Sequence, residues 1–521
     1  MSGDTMQIFI AMVCYMAIVI GIGLYYAKRS NESSEAYFIG ERSLGPWVTA
    51  MSAEASDMSG WLLMGLPGVA YWCGLSDAAW TAIGLAIGTY INWLWVAKRL
   101  RSYSIIAGDA ITVPDYFSNR FKEKDKRPLM TIAAVFILVF FTVYASSCFV
   151  TVGKLFSTLF GFSYVSMMIA GAAFVVFYTF VGGFLAETAS DFMQGIVMFT
   201  VLVFVLIFGT SRAGGISAVI DNARSIPGFF EFFGIASPTV VDGVQQVEAG
   251  KPVFGAAGAY GFLTIISTLS WGLGYFGMPH VLTRFMAIRT AKEITTARRI
   301  ATIWVIVSLF AAVAICMTGR ALFPVELLTA GKAESVFIVL SSHLLPALLA
   351  GFAMAGILAA TISSSDSYLL IGASAFSKNI YEGLLKKDAT DAQVMKVSRI
   401  VLISIAVIGM IIALDENSVI FKIVSFAWAG FGAAFGPIML FSLFWKRTTH
   451  EGAIAGMLAG GIMVFVWKLI LKPMGGLLGI YELFPAFVIS CIFIVVVSLM
   501  TKEPSKEIQD EFERAKQGAI E

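Results

Sequence analysis

Two carboxylates stand inside an apolar stretch of the sequence, where they could bind a cation. Glu54 and Asp57 lie between about Leu44 and Tyr71, among Ser, Met and Gly residues that are poor at keeping a helix regular. A charge at bilayer depth costs at least roughly 2.5–3.5 kcal/mol on insertion scales, so each carboxylate needs a partner. That partner could be a basic side chain that only holds helices together. We favour a broken helix, whose free carbonyls and carboxylate bind a cation.

A second polar patch, residues 359–367, contains one threonine, four serines and Asp366 within an otherwise apolar segment. Hydroxyl groups in membrane helices usually bond back to the carbonyl four residues earlier, which needs no ligand. Hydroxyl and carbonyl oxygens are also the hard ligands that an alkali cation prefers. Because the hydroxyl groups are so dense beside Asp366, this patch is a candidate for the same cation site.

An aromatic motif surrounds a group of glycines further along the chain. Trp271, Tyr275 and Pro279 recur every four residues, which predicts that they share one face of a helix. The face adjoins an interruption predicted at residues 271–277, which contain three glycines. Aromatic side chains with polar tips suit a compact solute with an apolar ring, although packing alone is the commoner role. Tyr144 is a secondary candidate on the same grounds.

The composition places these residues in a membrane. Hydrophobic residues make up 58% of the chain and charged residues 13%, about half the usual charged share of a soluble domain. Apolar runs long enough to span a bilayer recur from end to end, which predicts an all-α membrane protein with about 13 transmembrane helices. Nucleic-acid binding, ATP hydrolysis and enzymatic catalysis are disfavoured, because no basic aromatic patch, Walker A motif or nucleophile–base set is present.

The predicted spans cover about 7–27, 46–72, 75–97, 129–157, 163–182, 188–211, 257–278, 299–318, 346–375, 397–414, 419–445, 452–471 and 480–500. Basic residues follow the odd-numbered spans, which predicts an N-terminus outside the cell and a C-terminus inside. The polar stretch 213–255 is predicted to lie outside the bilayer. Residues 1–501 are predicted to form a single transmembrane domain, and residues 502–521 a short cytoplasmic tail.

The two interrupted spans, the second and the seventh, lie five spans apart and therefore cross the membrane in opposite directions. Paired, Gly-interrupted helices in inverted halves are typical of the binding site of a secondary transporter. The alternative is that these glycines only allow helices to pack closely. Asp191, near the start of the sixth span, is predicted to be a paired structural carboxylate or a gate residue.

Several sequence blocks carry a family resemblance that covers nearly the whole chain. The blocks are Gly40–Pro46, Ala55–Pro67, Trp271–His280, Arg284–Ala287 and Ala427–Pro437. They resemble the sodium/solute symporter family, and within it the bacterial transporters of proline. The resemblance implies a LeuT-type fold of two inverted five-helix repeats, at about 46–212 and 256–446, with one helix before them and two after.

The resemblance also implies roles for individual residues. A sodium ion would lie between the second and ninth spans, with Asp57 needed for tight binding, and its ligands would be the carbonyls of Ala55, Met58 and Ala360 and the hydroxyls of Ser363 and Ser364. The substrate pocket would contain Ser59, Gly60, Tyr144, Trp271, Tyr275 and Pro279. Residues that affect coupling or gating would be Arg42 and Asp191. Glu54 is added to this group as a departure from the family pattern, with three possible roles: to face a partner, to pair with a basic residue, or to let protons compete with sodium.

The expected function is secondary active transport that couples inward sodium movement to L-proline uptake by alternating access, in the inner (cytoplasmic) membrane of a bacterium. Beyond sodium, proline and the lipid bilayer, we expect no obligate protein partner. Two positions depart from the pattern, because Glu54 replaces an expected small residue and Met278 an expected glutamine. Another small zwitterion or a monocarboxylate, with sodium or protons as the coupling ion, is the alternative. A channel or membrane sensor is a third possibility.

Overall fold

Helices dominate the computed structural model, which describes residues 3–30, 32–124 and 126–518. The helices of the first half are α1 (Gly3–Ser30), α2 (Ser34–Ile39), α3 (Pro46–Asp57), α4 (Leu66–Cys73), α5 (Leu75–Ile91), α6 (Ala97–Ile106), α7 (Val113–Arg120), α8 (Pro128–Phe160), α9 (Tyr164–Arg212) and α10 (Ile216–Arg224). Those of the second half are α11 (Phe262–Leu269), α12 (Pro279–Ala287), α13 (Ile294–Leu322), α14 (Ala330–Ala333), α15 (Val336–Leu344), α16 (Ala347–Ser374), α17 (Asp391–Ile412), α18 (Ile420–Phe444), α19 (His450–Val466), α20 (Leu483–Met500) and α21 (Lys506–Gly518).

The polar stretch between α10 and α11 folds into three antiparallel pairs of short strands. The strands are β1 (Gly234–Ile235), β2 (Val240–Val241), β3 (Val244–Gln245), β4 (Val247–Glu248), β5 (Lys251–Pro252) and β6 (Gly258–Ala259). The pairs are β1 with β6, β2 with β3 and β4 with β5. Outside these strands, the described residues form helices and the loops that join them.

Nine helices within the described ranges are long and apolar enough to cross a membrane. Three of the predicted spans are absent from that set. The second and the seventh are interrupted, leaving the shorter apolar pieces Trp61–Cys73 and Phe262–Gly277, and the third is divided into α5, which has 17 residues, and a π-helical turn at Asn92–Val96. Two further predicted spans are merged in α9, whose 49 residues are kinked at Gly183 (φ 58°, ψ −169°). A straight helix of that length would reach about 74 Å, more than twice the thickness of a bilayer core. The count of 13 stays a prediction.

The interrupted helix α3–α4 lies at the centre of the bundle. Helix α3 packs against α9, α13, α12 and α16, and α16 packs in turn against α8, α9 and α1. Most of the buried apolar side chains in the described ranges form one continuous core from α1 to α21, and Ala223, Phe229 and Ala236 form a small second cluster. Both predicted polar patches are therefore held inside the protein, on helices fixed from several sides.

The predicted tail lies partly within the described residues. Helix α21 packs against α6, and Phe512 and Ala515 are buried there. Its polar face carries glutamates that pair with Lys122 and Lys446. Residues 519–521 lie outside the described residues.

Candidate functional site

The second span breaks where the sequence predicts. Helix α3 ends at Asp57, Met58 has non-helical angles (φ −85°, ψ 72°), and the chain resumes as a π-helical turn over Trp61–Gly65. A side chain at Gly60 would collide with Thr151 on α8, so glycine permits the close approach of the two segments. The break leaves main-chain carbonyls without partners in their own helix, which is how an interrupted span offers ligands to an ion.

The seventh span also breaks as predicted, but the predicted aromatic face is wrong. Residues Ser270–Gly277 form a 3-10 helix, Met278 is extended, and α12 begins at Pro279. A 3-10 helix has three residues per turn, so residues four apart do not share its face. Trp271 and Tyr275 stay beside the break, whereas Pro279 starts the next helix.

The oxygen atoms predicted to bind a cation converge between α3 and α16. The Ser363 hydroxyl donates to the Ala55 carbonyl (2.8 Å), and the Ser364 hydroxyl lies 3.4 Å from the same oxygen. Ser363 is also 3.3 Å from the Ala360 carbonyl. Met58 occupies the non-helical turn three residues after Ala55. A buried set of neutral oxygens of this kind fits a hard monovalent cation such as sodium.

Asp57 is held by the seventh span rather than by the hydroxyl patch. The Tyr275 hydroxyl donates to Asp57 Oδ2 (2.8 Å), and His280 Nε2 lies 3.2 Å from Oδ1. The side chains of Asp57 and His280 are fully buried. The carboxylate therefore joins the two broken spans to each other. His280 lacked a role in the sequence analysis, although it ends one of the blocks that carry the family resemblance.

The main chain at Asp57 adjoins an aromatic cluster. Its carbonyl accepts from Trp61 Nε1 (3.2 Å) and lies 3.5 Å from the Tyr144 hydroxyl. The Tyr144 ring stacks on Tyr368 with centroids 4.2 Å apart. Ser59 is buried beside this turn. Tyr368 was missed by the sequence analysis, although it follows Ser364 by four residues and so shares its helix face.

Trp271 belongs to a second aromatic cluster, which is formed with residues of α18. Its ring lies 5.1 Å from Phe421 and 5.9 Å from Trp428, centroid to centroid, and its carbonyl accepts from Trp428 Nε1 (2.8 Å). The Tyr275 ring meets Trp428 edge-on at 5.1 Å. A side chain at Gly274 would collide with the Trp428 indole, so this glycine lets the 3-10 segment pack directly on α18. The rings of Trp271 and Tyr275, from the 3-10 segment, and of Phe421 and Trp428, from α18, together form an aromatic wall.

A cluster of buried ionic side chains lies next to the candidate cation site, one helical turn further along α16. The Arg284 guanidinium pairs with Glu187 and, at 3.3 Å, with Asp191, which also accepts from the Ser52 hydroxyl (2.7 Å). Ser367 on α16 binds both Arg284 (2.8 Å) and Glu187. Asp191 is therefore a paired carboxylate, as predicted. Glu187 was missed, because its partner Arg284 is 97 residues away in the chain.

Glu54 faces the third span. Its Oε1 accepts from the indole nitrogen of Trp93 (3.1 Å), which lies in a π-helical turn over Asn92–Val96. Among the described residues, Oε2 has no hydrogen-bond partner. Glu54 therefore faces a polar partner, Trp93, which is one of the roles considered for it.

Replacing Glu54 tests this contact. Glu54→Gln keeps an oxygen that can accept from Trp93, so the thermal stability in detergent is expected to stay close to that of the parent chain. Glu54→Met leaves the buried indole N–H unpaired and is expected to lower the free energy of unfolding by about 1–3 kcal/mol. Equal stabilities for the two variants would contradict the assigned contact.

Arg42 closes the end of the bundle where the second span begins and the seventh ends. Its guanidinium pairs with Asp109 (2.9 Å) and donates to the carbonyls of Met286 (2.7 Å) and Ala110 (2.6 Å). Burial lowers the pKa of Arg42 from its ordinary value, and the Asp109 carboxylate opposes that shift. The Leu44 carbonyl also accepts from the Arg289 main-chain nitrogen (2.9 Å). Arg42 thus holds both broken spans together at this end.

Comparisons with known proteins agree on one family. A family model described as the sodium:solute symporter family matches residues 37–460. The sodium/proline symporters of Staphylococcus aureus strains JH9 and JH1 are each 40% identical over 516 residues, 98% of this chain and 96% of the relative.

Solved structures show the same fold. A structure of a substrate-bound, outward-open, Na+-coupled sialic acid symporter superimposes with a TM-score of 0.76 at 18% identity, covering 96% of this chain and 99% of the other. A closed nucleobase-cation-symport-1 family transporter superimposes with a TM-score of 0.50 at 12% identity, covering 92% and 98%. The fold is the LeuT-type fold of sodium symporters.

Proposed function

The chain belongs to the sodium:solute symporter family, and we propose that it is a secondary active transporter that couples inward sodium movement to uptake of L-proline by alternating access. The observation that carries this proposal is the convergence of the Ser363 and Ser364 hydroxyls on the Ala55 carbonyl, at the break of the second span. The full-length similarity to sodium/proline symporters supports proline as the solute.

Sodium would bind to the carbonyls of Ala55, Met58 and Ala360 and the hydroxyls of Ser363 and Ser364. Those hydroxyls donate to carbonyls in the structure, and they would turn their lone pairs toward the ion when it binds. Because ligands come from both α3 and α16, the ion would pull the broken helix against its neighbour. Asp57 would supply the negative charge that these neutral ligands lack.

Proline would bind next to the ion, at the turn that contains Ser59 and Gly60. The main-chain N–H groups at the start of the helical segment that follows the break would favour its carboxylate. Its apolar ring would lie against Trp271 and Tyr275, with Tyr144 on the other side and Pro279 at the start of α12. Sodium binding would order this turn before proline arrives, which links the two affinities.

The cycle requires each end of the pocket to open in turn. At the end that holds Arg42, the main-chain contacts to Met286 and Ala110 must break before the solutes leave. Arg42 is thus placed to affect coupling, and Asp191 to hold Arg284 near the sodium path. The positions of the basic residues support a cytoplasmic location for this end, with the N-terminus outside and the C-terminus inside the bacterial inner membrane.

The organisation proposed with this function is one transmembrane domain over residues 1–501, with repeats at about 46–212 and 256–446 and a cytoplasmic tail from residue 502. The lipid bilayer is its environment, and no obligate protein partner is proposed.

One observation favours a second candidate solute. Met278 is fully buried at the junction of the 3-10 segment and α12, and it brings an apolar thioether to a position where the family pattern has a polar amide. A site with few polar groups there suits another small zwitterion or a monocarboxylate. Competition of labelled proline uptake by a panel of such solutes separates the candidates, because the preferred solute will inhibit at the lowest concentration.

The cation site is tested by two adjacent serines. Ser363→Ala removes a hydroxyl that contacts Ala55, whereas Ser365→Ala removes one that bonds only within α16, to the carbonyls of Thr361 (2.5 Å) and Ile362 (3.4 Å). The first variant is expected to raise the sodium concentration for half-maximal uptake by about five- to tenfold, equivalent to about 1–1.4 kcal/mol. The second is expected to leave it within about twofold. Equal shifts in the two variants would argue against the proposed ligands.

A further inference from the structure

Tyr481 reaches the aromatic wall from outside the two proposed repeats. It lies in the connection between α19 and α20, which contains a π-helical turn at Trp467–Leu471 and two 3-10 turns. The Tyr481 ring stacks on Trp271 with centroids 5.2 Å apart and planes 20° apart. A residue from the last connection of the bundle therefore covers the ring proposed to contact the solute.

Two hydrogen bonds fix Tyr481 to the elements on either side of Trp271. Its main-chain N–H donates to the Ser267 hydroxyl on α11 (2.7 Å). Its own hydroxyl donates to the Ser425 carbonyl on α18 (2.7 Å). Tyr481 thus bridges the first half of the seventh span and the first turns of α18.

The connection itself is held by a buried carboxylate. Glu482 is fully buried and pairs with Lys468 (3.1 Å) and Lys472 (2.8 Å), both from the same connection. The Lys472 ammonium lies 5.9 Å from the centre of the Tyr481 ring, and the Lys468 ammonium lies 5.9 Å from that of Phe426 on α18. Because Glu482 directly follows Tyr481, these ion pairs join the main chain next to Tyr481 to the first part of the same connection.

From this arrangement we propose that residues 472–482 form a lid over the outer end of the pocket, in which Tyr481 is a positioning residue that holds Trp271 against the solute. The proposal rests on the proposed function, because it takes Trp271 as part of the substrate pocket. For the pocket to open at this end, which is opposite to the end that holds Arg42, the hydrogen bonds from Tyr481 to Ser267 and Ser425 must break. Closure restores them and returns Trp271 to its place.

Transport kinetics test the lid with a matched control. Tyr481→Phe removes the bond to Ser425 and keeps the ring, and Tyr164→Phe removes an equivalent hydroxyl–carbonyl bond, to Ala413 (2.7 Å), in another part of the protein. Tyr481→Phe is expected to raise the KM for proline about fivefold with little change in Vmax, while Tyr164→Phe changes neither. Equal effects of the two variants, or a loss confined to Vmax, would overturn the lid.

The rate at which a cysteine reporter in the pocket is labelled tests the lid independently of which solute is transported. In a chain whose five native cysteines are replaced, a Ser59→Cys reporter is labelled from outside with a membrane-impermeant maleimide. Tyr481→Ala is expected to speed labelling several-fold relative to Tyr164→Ala, since the lid no longer closes. Equal labelling rates overturn the lid even if proline is transported, and faster labelling supports it even if proline is not the solute.

Discussion

Asp57→Asn is expected to raise the sodium concentration needed for half-maximal uptake about a hundredfold. The proposed ligands are neutral oxygens, and in the proposed site Asp57 would supply the negative charge. Opposite unit charges about 4–8 Å apart interact with roughly 2–4 kcal/mol at an effective dielectric constant of about 20, and a hundredfold change in affinity corresponds to about 2.8 kcal/mol. The measurement is the sodium dependence of initial uptake rates.

Asparagine keeps an oxygen that can accept from Tyr275, which preserves the link between the two broken spans. The control is Tyr275→Phe, which removes that hydrogen bond but leaves the charge, and is expected to shift sodium dependence by less than about tenfold. If Asp57→Asn leaves the sodium dependence unchanged, the cation binds elsewhere.

Arg284→Met is expected to prevent the protein from folding stably. Arg284 is fully buried with Glu187 and Asp191, so its removal leaves two buried carboxylates without their cation. Removing one partner of a buried ion pair costs about 3–5 kcal/mol. The measurement is the yield of monodisperse protein and its thermal unfolding in detergent.

Two variants make this result specific. Arg289→Met removes an exposed arginine that pairs with Glu293, and stability is expected to change by less than about 1 kcal/mol. Adding Glu187→Gln and Asp191→Asn to Arg284→Met removes the uncompensated charges and is expected to recover folded protein. A stable Arg284→Met single variant would show that the cluster does not hold these helices together.

The interruptions of the second and seventh spans could be predicted from the sequence. Glycine and serine inside an apolar segment weaken a helix locally, and the breaks at Met58 and over Ser270–Gly277 lie where those residues occur. The hydroxyl patch of α16 was also visible, because its residues are consecutive. These features depend on neighbours in the chain.

The partners of the buried charges could not be predicted in the same way. Asp57 meets His280 across 223 residues, and Glu187 meets Arg284 across 97, so only the packed bundle brings them together. The predicted face of Trp271, Tyr275 and Pro279 failed for a different reason. It assumed an α-helical period, whereas the segment is a 3-10 helix whose Gly274 packs directly against Trp428 of α18. Tyr481 lies too far along the chain for any local pattern to place it on Trp271.

Uptake of labelled L-proline into proteoliposomes, with and without an inward sodium gradient, tests the central claim most directly. Proline is expected to accumulate above its external concentration only when the gradient is present, and Ser363→Ala is expected to require more sodium for the same rate while Ser365→Ala does not. Uptake that merely equilibrates proline at a rate independent of sodium, in folded and oriented protein, would contradict sodium-coupled transport.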